Sequence, residues 1–343
     1  MPEKTTINTI AEQSGVSIAT VSLVLNGKPG VSQQTRARVL EVATDLGYAV
    51  KSSQSASLSL NSVGMITKSE TNLPAQENPF YSKVMGGIEE TCRRNDISLL
   101  FSSLPVDQNN HPIEVPPIFF SEAVDGFLMV GAFVDATITK SASGKKIPPI
   151  VLVDGYSDTD SYDAVVSDNF QAAYDAVEFL IEKGHRQIGL IGSEEDSYPS
   201  LKQRRNGYLR ALKENGITTS YIADFKINYE KGFTQTKDLL SRHPEITALF
   251  AVNDEIAVNA MYAAQELGLR VPQDISIVGY DDTYLAVNVS PKLTTMHVDT
   301  AAMGRAAVHL LQLRIENPAT ARMTLTIHPV LVERASVAEP RRS

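Results

Sequence analysis

A chain of 343 residues, 43% hydrophobic and 21% charged, has the composition of an ordinary globular protein and room for two or three domains. No apolar run approaches the roughly 20 residues that span a bilayer, and the polar start Met1-Pro2-Glu3-Lys4-Thr5-Thr6 carries no apolar signal segment. A membrane span is excluded and a cytoplasmic location is expected. The single cysteine, Cys92, cannot close an intrachain disulfide, and no Cys/His spacing suits zinc, so no metal or other cofactor is expected. Net charge is −9, yet five cations against four acids leave the first 60 residues at +1 and therefore the remainder at −10. A near-neutral head on an acidic body suits a small DNA-reading module, although its basic footprint is weak.

In chain order, three short helical patterns come first. Ile7, Ile10 and Ala11 share one face of a helix that stops at Ser14-Gly15. Ser17 caps a second helix that buries Val21, Val24 and Leu25, and Ser32 caps a third with Val39, Leu40, Ala43 and Leu46 inward and Gly47 at its end. Ala11, Gly15, Val16 and Val21 meet the mechanical needs of a helix-turn-helix: a small residue for close approach, a glycine for the tight turn, and two apolar residues to lock the crossing. A plain three-helix cap is the alternative.

The run Thr9-Ile10-Ala11-Glu12-Gln13-Ser14-Gly15-Val16-Ser17-Ile18-Ala19-Thr20-Val21-Ser22-Leu23-Val24-Leu25-Asn26-Gly27 resembles the head of the LacI/GalR repressor family. Val31-Ser32, Thr35-Arg36, Val39 and Leu46-Gly47-Tyr48 continue it in register. The resemblance implies that the second helix enters the major groove with Ile18, Ala19 and Leu23 at base edges. Ser17, Thr20, Ser22, Asn26, Ser32 and Thr35 would then hold phosphates and set register. Relatives often carry arginine at the Leu23 position. Three apolar readers suit thymine methyl groups, so an A·T-rich operator is expected. Relatives also have a hinge helix with a leucine wedge after the tyrosine. Here the stretch from Val50 to Leu58 lacks proline and arginine; Leu58 is either the wedge or part of a serine-rich tether.

Beyond residue 62, apolar runs alternate with helical patterns. Val63–Thr67, Ile97–Phe101, Gly126–Val130, Ile150–Asp154, Ile188–Ile191, Ala248–Val252 and Ile275–Tyr280 predict buried parallel strands. Phe170–Lys183, Arg205–Glu214 and Glu255–Leu267 predict helices between them, and the strands are too many for one sheet. Pro105, Pro112, Pro116 and Pro117 exclude a regular helix over Leu104–Phe120, where relatives place one. The resemblance continues through Asn78-Pro79-Phe80-Tyr81, Ser167-Asp168-Asn169, Gly184-His185-Arg186, Arg204-x-x-Gly207-Tyr208, Asn253-Asp254 and Pro272 to Asp282. It implies an α/β fold: a three-helix head, then a two-lobed periplasmic-binding-protein-like core of doubly wound parallel sheets. The expected divisions are a head at 1–48, a hinge or tether at 49–61, an effector-binding and dimerisation core at 62–334, and a tail at 335–343.

Ligands of such folds bind beyond the carboxyl ends of strands. Asp154, Asn253 and Asp281 follow strands and Arg204 opens a helix-side motif; each can contact neighbouring hydroxyls, as a carbohydrate requires. Phe80, with Tyr81, either stacks on a ligand or belongs to the core, while His185 reads as structural and Asp168-Asn169 as a helix cap. No nucleophile elbow, phosphate loop or zinc helix is present, so no catalytic residue is expected. The sequence therefore predicts a homodimeric transcription regulator, with a repressor favoured, that binds a pseudo-palindromic operator under control of a small-molecule effector. The alternative is a sugar-binding protein without specific operator binding.

Overall fold

The computed structural model describes residues 6–25, 30–46, 48, 59–69, 78–107, 109–141, 147–159, 161–225 and 229–341. By its internal contacts the chain divides into two units, Met1–Ser59 and Leu60–Ser343. The first contains α1 (Ile7–Ser14), α2 (Ile18–Leu25) and α3 (Gln33–Asp45). Thr6 Oγ1 accepts from the Thr9 N–H to start α1, and Gly15, at φ +65°, ends it in a conformation that a side chain resists. Ser17 and Ser32 start the other two helices, accepting from the N–H groups of Thr20 and Thr35 at 3.1 and 3.2 Å. Helices as short as α1 and α2 are marginal alone. They persist because Ile10, Ala11, Val21, Val24, Val39 and Ala43 close a shared core, with Val16, Leu25, Leu40 and Leu46 packed around it.

The second unit holds two six-stranded sheets. In lobe I the strands are β1 (Ser62–Ser69), β2 (Ser98–Pro105), β3 (Gly126–Val130), β5 (Ile150–Val153), β7 (Asp163–Ser167) and β13 (Thr324–Ile327). Their order is β13-β7-β5-β3-β1-β2, and every pair is parallel. A two-stranded ribbon of β4 (Phe133–Val134) and β6 (Tyr156–Ser157) accompanies them. In lobe II the strands are β8 (Ile188–Ile191), β9 (Tyr221–Ala223), β10 (Ala248–Ala251), β11 (Ser276–Asp281), β12 (Thr294–His297) and β14 (Val330–Val332). Their order is β14-β12-β11-β10-β8-β9, parallel except for the β12–β14 edge pair. The central strands β3, β5, β8 and β10 are buried throughout, which explains their unbroken apolar runs.

Helices cover the sheets: α4 (Pro79–Arg94), α5 (Ala136–Ser141), α6 (Asn169–Glu182), α7 (Pro199–Glu214), α8 (Tyr229–Arg242), α9 (Asp254–Glu266), α10 (Tyr284–Asn288) and α11 (Thr300–Glu316). The chain crosses between lobes after β7, after β12 and after β13, so each lobe is assembled from distant pieces of sequence. In lobe I α11 packs on α4, and in lobe II α6 packs on α7. Glycines set both contacts: a Cβ on Gly304 would lie 2.3 Å from the Val84 carbonyl oxygen, and one on Gly207 would lie 2.3 Å from that of Phe170. The described residues of segment 104–120 form no α-helix. A bridge pairs Val106 with Pro112, and a single 3-10 turn spans Pro117–Phe120, as its prolines require. Residues 335–341 are tied into lobe II, where the fully buried Ser336 donates to the Ile277 carbonyl at 2.6 Å and accepts from the Thr294 N–H at 2.8 Å. His185, also buried, joins Thr247, Ser276 and the Ala338 carbonyl.

One ion pair anchors the long return through α11. Arg314 Nε and Nη2 donate to the two Asp163 carboxylate oxygens at 2.6 and 2.8 Å, and the Met323 N–H donates to the same carboxylate at 2.9 Å. Both side chains are buried, and Arg314 also donates to the Pro318 and Ala321 carbonyls. Burial pushes the Asp163 carboxyl upward, but the bonds from Arg314 and Met323 outweigh it and hold the group below its ordinary range. Removing one partner strands the other charge. Asp163→Ala is therefore expected to lower unfolding free energy by about 3–5 kcal/mol, read as a lower urea midpoint. The pair's contribution is present at neutral pH and declines on acidification through the lowered Asp163 value.

Candidate functional site

On α2 the residues Val21 and Val24 face the head core, which leaves Ile18 and Ala19 exposed and Ser22 and Leu23 half-buried on the other side. Ile18 is 53% exposed, a large apolar side chain held in water on a helix that has its own core. Ser17 and Ser32 are exposed, and each hydroxyl lies 2.9 Å from a second one, Thr20 and Thr35 respectively. Two hydroxyl pairs thus sit at helix N-termini, where the partial positive charge of free N–H groups favours a phosphate. Asn26, Leu58 and the expected hinge at 50–58 lie outside the described residues.

The second cluster lies where strands of both lobes end. Asp154 follows β5 at φ +47° and Asp281 ends β11 at φ +101°, both in the left-handed region unusual for residues with a side chain. Tyr81, on the first turn of α4, donates its hydroxyl to Asp154 Oδ2 at 3.0 Å. Tyr198 precedes α7 in lobe II and reaches across to lobe I, its hydroxyl 3.2 Å from the Gly131 carbonyl oxygen and 3.1 Å from that of Asp154. Two further bonds cross between lobes: Tyr280 to Ser167 at 3.1 Å, and Lys83 Nζ to the Asp282 carbonyl at 3.2 Å.

Arg204 projects from α7 into this junction with its side chain only 6% exposed. Its Nε donates to Asn169 Oδ1 at 2.8 Å, its Nη1 donates to the Val252 carbonyl, and its Nη2 stands 3.4 Å from Asp281 Oδ1. The guanidinium carbon lies 3.6 Å from the centre of the Tyr280 ring, a stacked cation–π contact. Burial dominates both acids. The Asp281 carboxyl is pushed up to about 8 despite Arg204 beside it, and that of Asp154 is raised against the pull of Arg204, Tyr81 and Lys68. Burial, then the Asp154 charge, holds the Tyr81 and Tyr198 hydroxyls well above their ordinary value, so both remain donors.

Among the described residues, four buried side-chain polar atoms have no hydrogen-bond partner: Thr67 Oγ1, Asp154 Oδ1, Tyr156 Oη and Asp281 Oδ1. Two of them belong to the two carboxylates just described, and Tyr156 packs edge-on against Tyr198 with ring centres 5.2 Å apart. Native interiors satisfy nearly all such atoms, so a cluster of exceptions marks a place built for an outside hydrogen-bonding group. Tyr81, Asp154, Arg204 and Asp281 are brought together here. Asn253 is the neighbour of Val252, but its side-chain oxygen accepts from the Ile256 N–H at 2.8 Å and so caps α9. Phe80 is 8% exposed, in the core, with its ring edge-on to Tyr81 at 5.2 Å. Tyr198, Tyr280 and Tyr156 escaped the sequence reading, as did Asn169 beyond its place in a cap. A tyrosine just before the helix-opening Pro199 was the available signal.

Residues 6–50 match the bacterial regulatory proteins of the lacI family, and residues 177–337 match the periplasmic binding protein-like domain. The chain is 32% identical to the HTH-type transcriptional repressor PurR of Klebsiella pneumoniae, over 97% of both proteins. It is 33% identical to the ribose operon repressor of Haemophilus influenzae, over 97% of this chain and 98% of that one. Among solved structures it is similar to the lac repressor dimer bound to operator and the anti-inducer ONPF, with a TM-score of 0.66 and 25% identity over 98% of this chain and 100% of the other. No described helix is long and apolar enough to cross a membrane. The helix-turn-helix head, the two-lobed core and similarity along nearly the whole chain place this protein in the lacI family of bacterial regulatory proteins.

Proposed function

We propose that this regulator reads a pseudo-palindromic operator as a cytoplasmic homodimer, through α2, and that a polyhydroxylated small molecule held between the lobes sets its operator affinity. The observation that carries the effector site is the convergence of the Arg204–Asp281 pair, Asp154 and the partnerless buried oxygens where strands of both lobes end. A ring of hydroxyls supplies what those atoms lack: donors to Asp154 and Asp281, and acceptors for Arg204. The site binds rather than turns over its ligand, since its tyrosines are held protonated by burial. Asn253 and Phe80 support the site from its edge. A dimer places two heads on half-sites about 34 Å apart.

In the head, Ile18, Ala19 and Leu23 are the base readers, while Ser17, Thr20, Ser22, Asn26, Ser32 and Thr35 hold phosphates and Leu58 is either the minor-groove wedge or part of a serine-rich tether. The exposed Ile18 supports this assignment, since an apolar group of that size gains by covering thymine methyls. Binding-site selection with the full chain is expected to enrich A·T pairs at the discriminating positions. Leu23→Arg should introduce guanine there, with about 1–3 kcal/mol of discrimination. An unaltered selection would remove Leu23 from the readers.

Calorimetric titration with ribose, cellobiose and other sugars tests the cleft. Arg204→Met is expected to weaken binding of whichever sugar binds by about a hundredfold, because a charged hydrogen-bonding partner is lost and Asp281 is left uncompensated. Sugar binding of ordinary affinity in that variant would place the site elsewhere.

A further inference from the structure

Asp281 and Asp282 stand side by side at the end of β11, at φ +101° and +53°. Left-handed backbone is unfavourable for a residue with a side chain, and two in succession persist only where neighbours hold them. The first of the pair meets Arg204 in the cleft. The second meets a different set of groups, none of which belongs to the effector site.

Asp282 is clamped on its carboxylate. Arg334 Nη2 donates to Oδ1 at 2.6 Å, and the same arginine is tied to the start of β12. Its Nη1 donates to the Leu293 carbonyl and its N–H to Thr294 Oγ1, each at 2.9 Å. His297 Nδ1 lies 3.0 Å from Oδ2, and His297 is also the residue that pairs with Asp281 in the β11–β12 ladder. The next residue is held as firmly. Thr283 donates its N–H and hydroxyl to Oδ2 of the buried Asp254 at 2.6 and 3.0 Å, and Asp254 Oδ1 accepts from Thr295 at 2.6 Å. Both clamping side chains stand beside lobe crossovers. His297 ends β12, after which the chain enters α11 of lobe I, and Arg334 lies two residues beyond β14, on the return from β13.

The Asp282 carbonyl reaches the other lobe. It accepts from Lys83 Nζ at 3.2 Å, and Lys83 stands on α4 two residues after Tyr81, the donor to Asp154. One short stretch of backbone thus connects the cleft acid of lobe II, the crossover after β12 and the first helix of lobe I. The peptide plane that joins Asp281 to Asp282 is rigid, so a rotation at the first must be taken up at the second. With the Asp282 carboxylate clamped, that rotation is taken up at its carbonyl, the atom that holds Lys83.

We propose that Asp282 is a positioning residue that couples effector contact at Asp281 to the lobe arrangement, through its Arg334 and His297 clamp and its carbonyl bond to Lys83. The assignment rests on the cleft being the effector site. It is tested by the affinity of the full-length protein, at fixed salt, for an operator obtained by binding-site selection. The variants are Asp282→Gly, Asp282→Asn, Lys83→Met and the pair Asp282→Gly with Lys83→Met. Glycine permits the left-handed backbone without strain but removes the clamp, so a residue that serves only the turn tolerates it. Asp282→Gly is expected to change operator affinity by about tenfold or more, inside the ordinary range of allosteric coupling. Asp282→Asn keeps an acceptor for Arg334 and tolerates the left-handed backbone, and should stay within about threefold. Lys83→Met, at an exposed position, should act in the same direction, and the pair should do no more than Asp282→Gly alone, since both act through one path. It also keeps the test decisive where Asp282→Gly lowers the urea midpoint. The shift that a bound sugar produces in operator affinity should shrink to within about twofold in Asp282→Gly. Unchanged operator affinity in Asp282→Gly, equal effects of glycine and asparagine, a sugar shift retained in full, or a Lys83→Met effect that is absent or simply additive would each overturn the assignment. Sugar titration of Arg204→Met separates the two levels. Binding that survives there removes the cleft itself as the site, whereas an additive operator cycle removes Asp282 alone.

Discussion

The Arg204 guanidinium stays charged at any pH the protein meets, yet only 5% of the residue reaches solvent. Such an ion persists in the interior only where its hydrogens and charge are matched in place. Here the matching groups come from across the core: the Asn169 amide at the first lobe crossing, the Val252 carbonyl after β10, Asp281 at the end of β11 and the Tyr280 ring beneath. Gly207, three residues along the same helix, lets α7 approach α6 closely enough to deliver the arginine there. Removing Cβ at one position and placing a cation at another are two sides of one packing requirement.

The compensation of Arg204 is incomplete in a specific way. Asp281 and Asp154 each keep one buried oxygen without a hydrogen bond, and their carboxyls are raised by burial despite the Arg204 charge beside them. An interior in this condition is strained toward a ligand, because a hydroxyl delivered to each orphan removes a desolvation penalty of about 1–3 kcal/mol. The tyrosines supply the mechanical side. Tyr198 clasps lobe I from lobe II, and Tyr280 and Lys83 add two more bonds across the same junction. A molecule that enters must share or replace these contacts, so its binding and the lobe arrangement are one equilibrium.

Much of this was legible in the sequence, for physical reasons that vary along the chain. Strands β3, β5, β8 and β10 are buried on both faces and announce themselves as apolar runs, and the head is fixed by local caps and the left-handed Gly15. Two of the strands that escaped carry polar residues satisfied only by distant partners. β12 reads Thr-Thr-Met-His, and its two threonines are buried because Ser336, Arg334 and Asp254 bond them. β7 opens on Asp163, tolerable inside only because Arg314 arrives 151 residues later. The same limit applies to the cleft. Asp154, Arg204 and Asp281 could be chosen because strand ends and an arginine motif are local signals. Tyr198 and Lys83 matter through contacts made across lobes, and no spacing rule reveals those. Asn253 shows the reverse case, where a residue read as a ligand donor is also engaged as a helix cap.

The central claim is that occupation of the cleft and affinity for operator are one coupled equilibrium. The direct measurement is operator affinity of the full-length protein at fixed salt, with and without a saturating sugar that calorimetry has shown to bind. The account predicts a change of about 5–150-fold, and an equal change in ligand affinity when operator is bound first. Identical operator affinity at full ligand occupancy would contradict it, leaving a binding cleft and a DNA-reading head joined in one chain without communication.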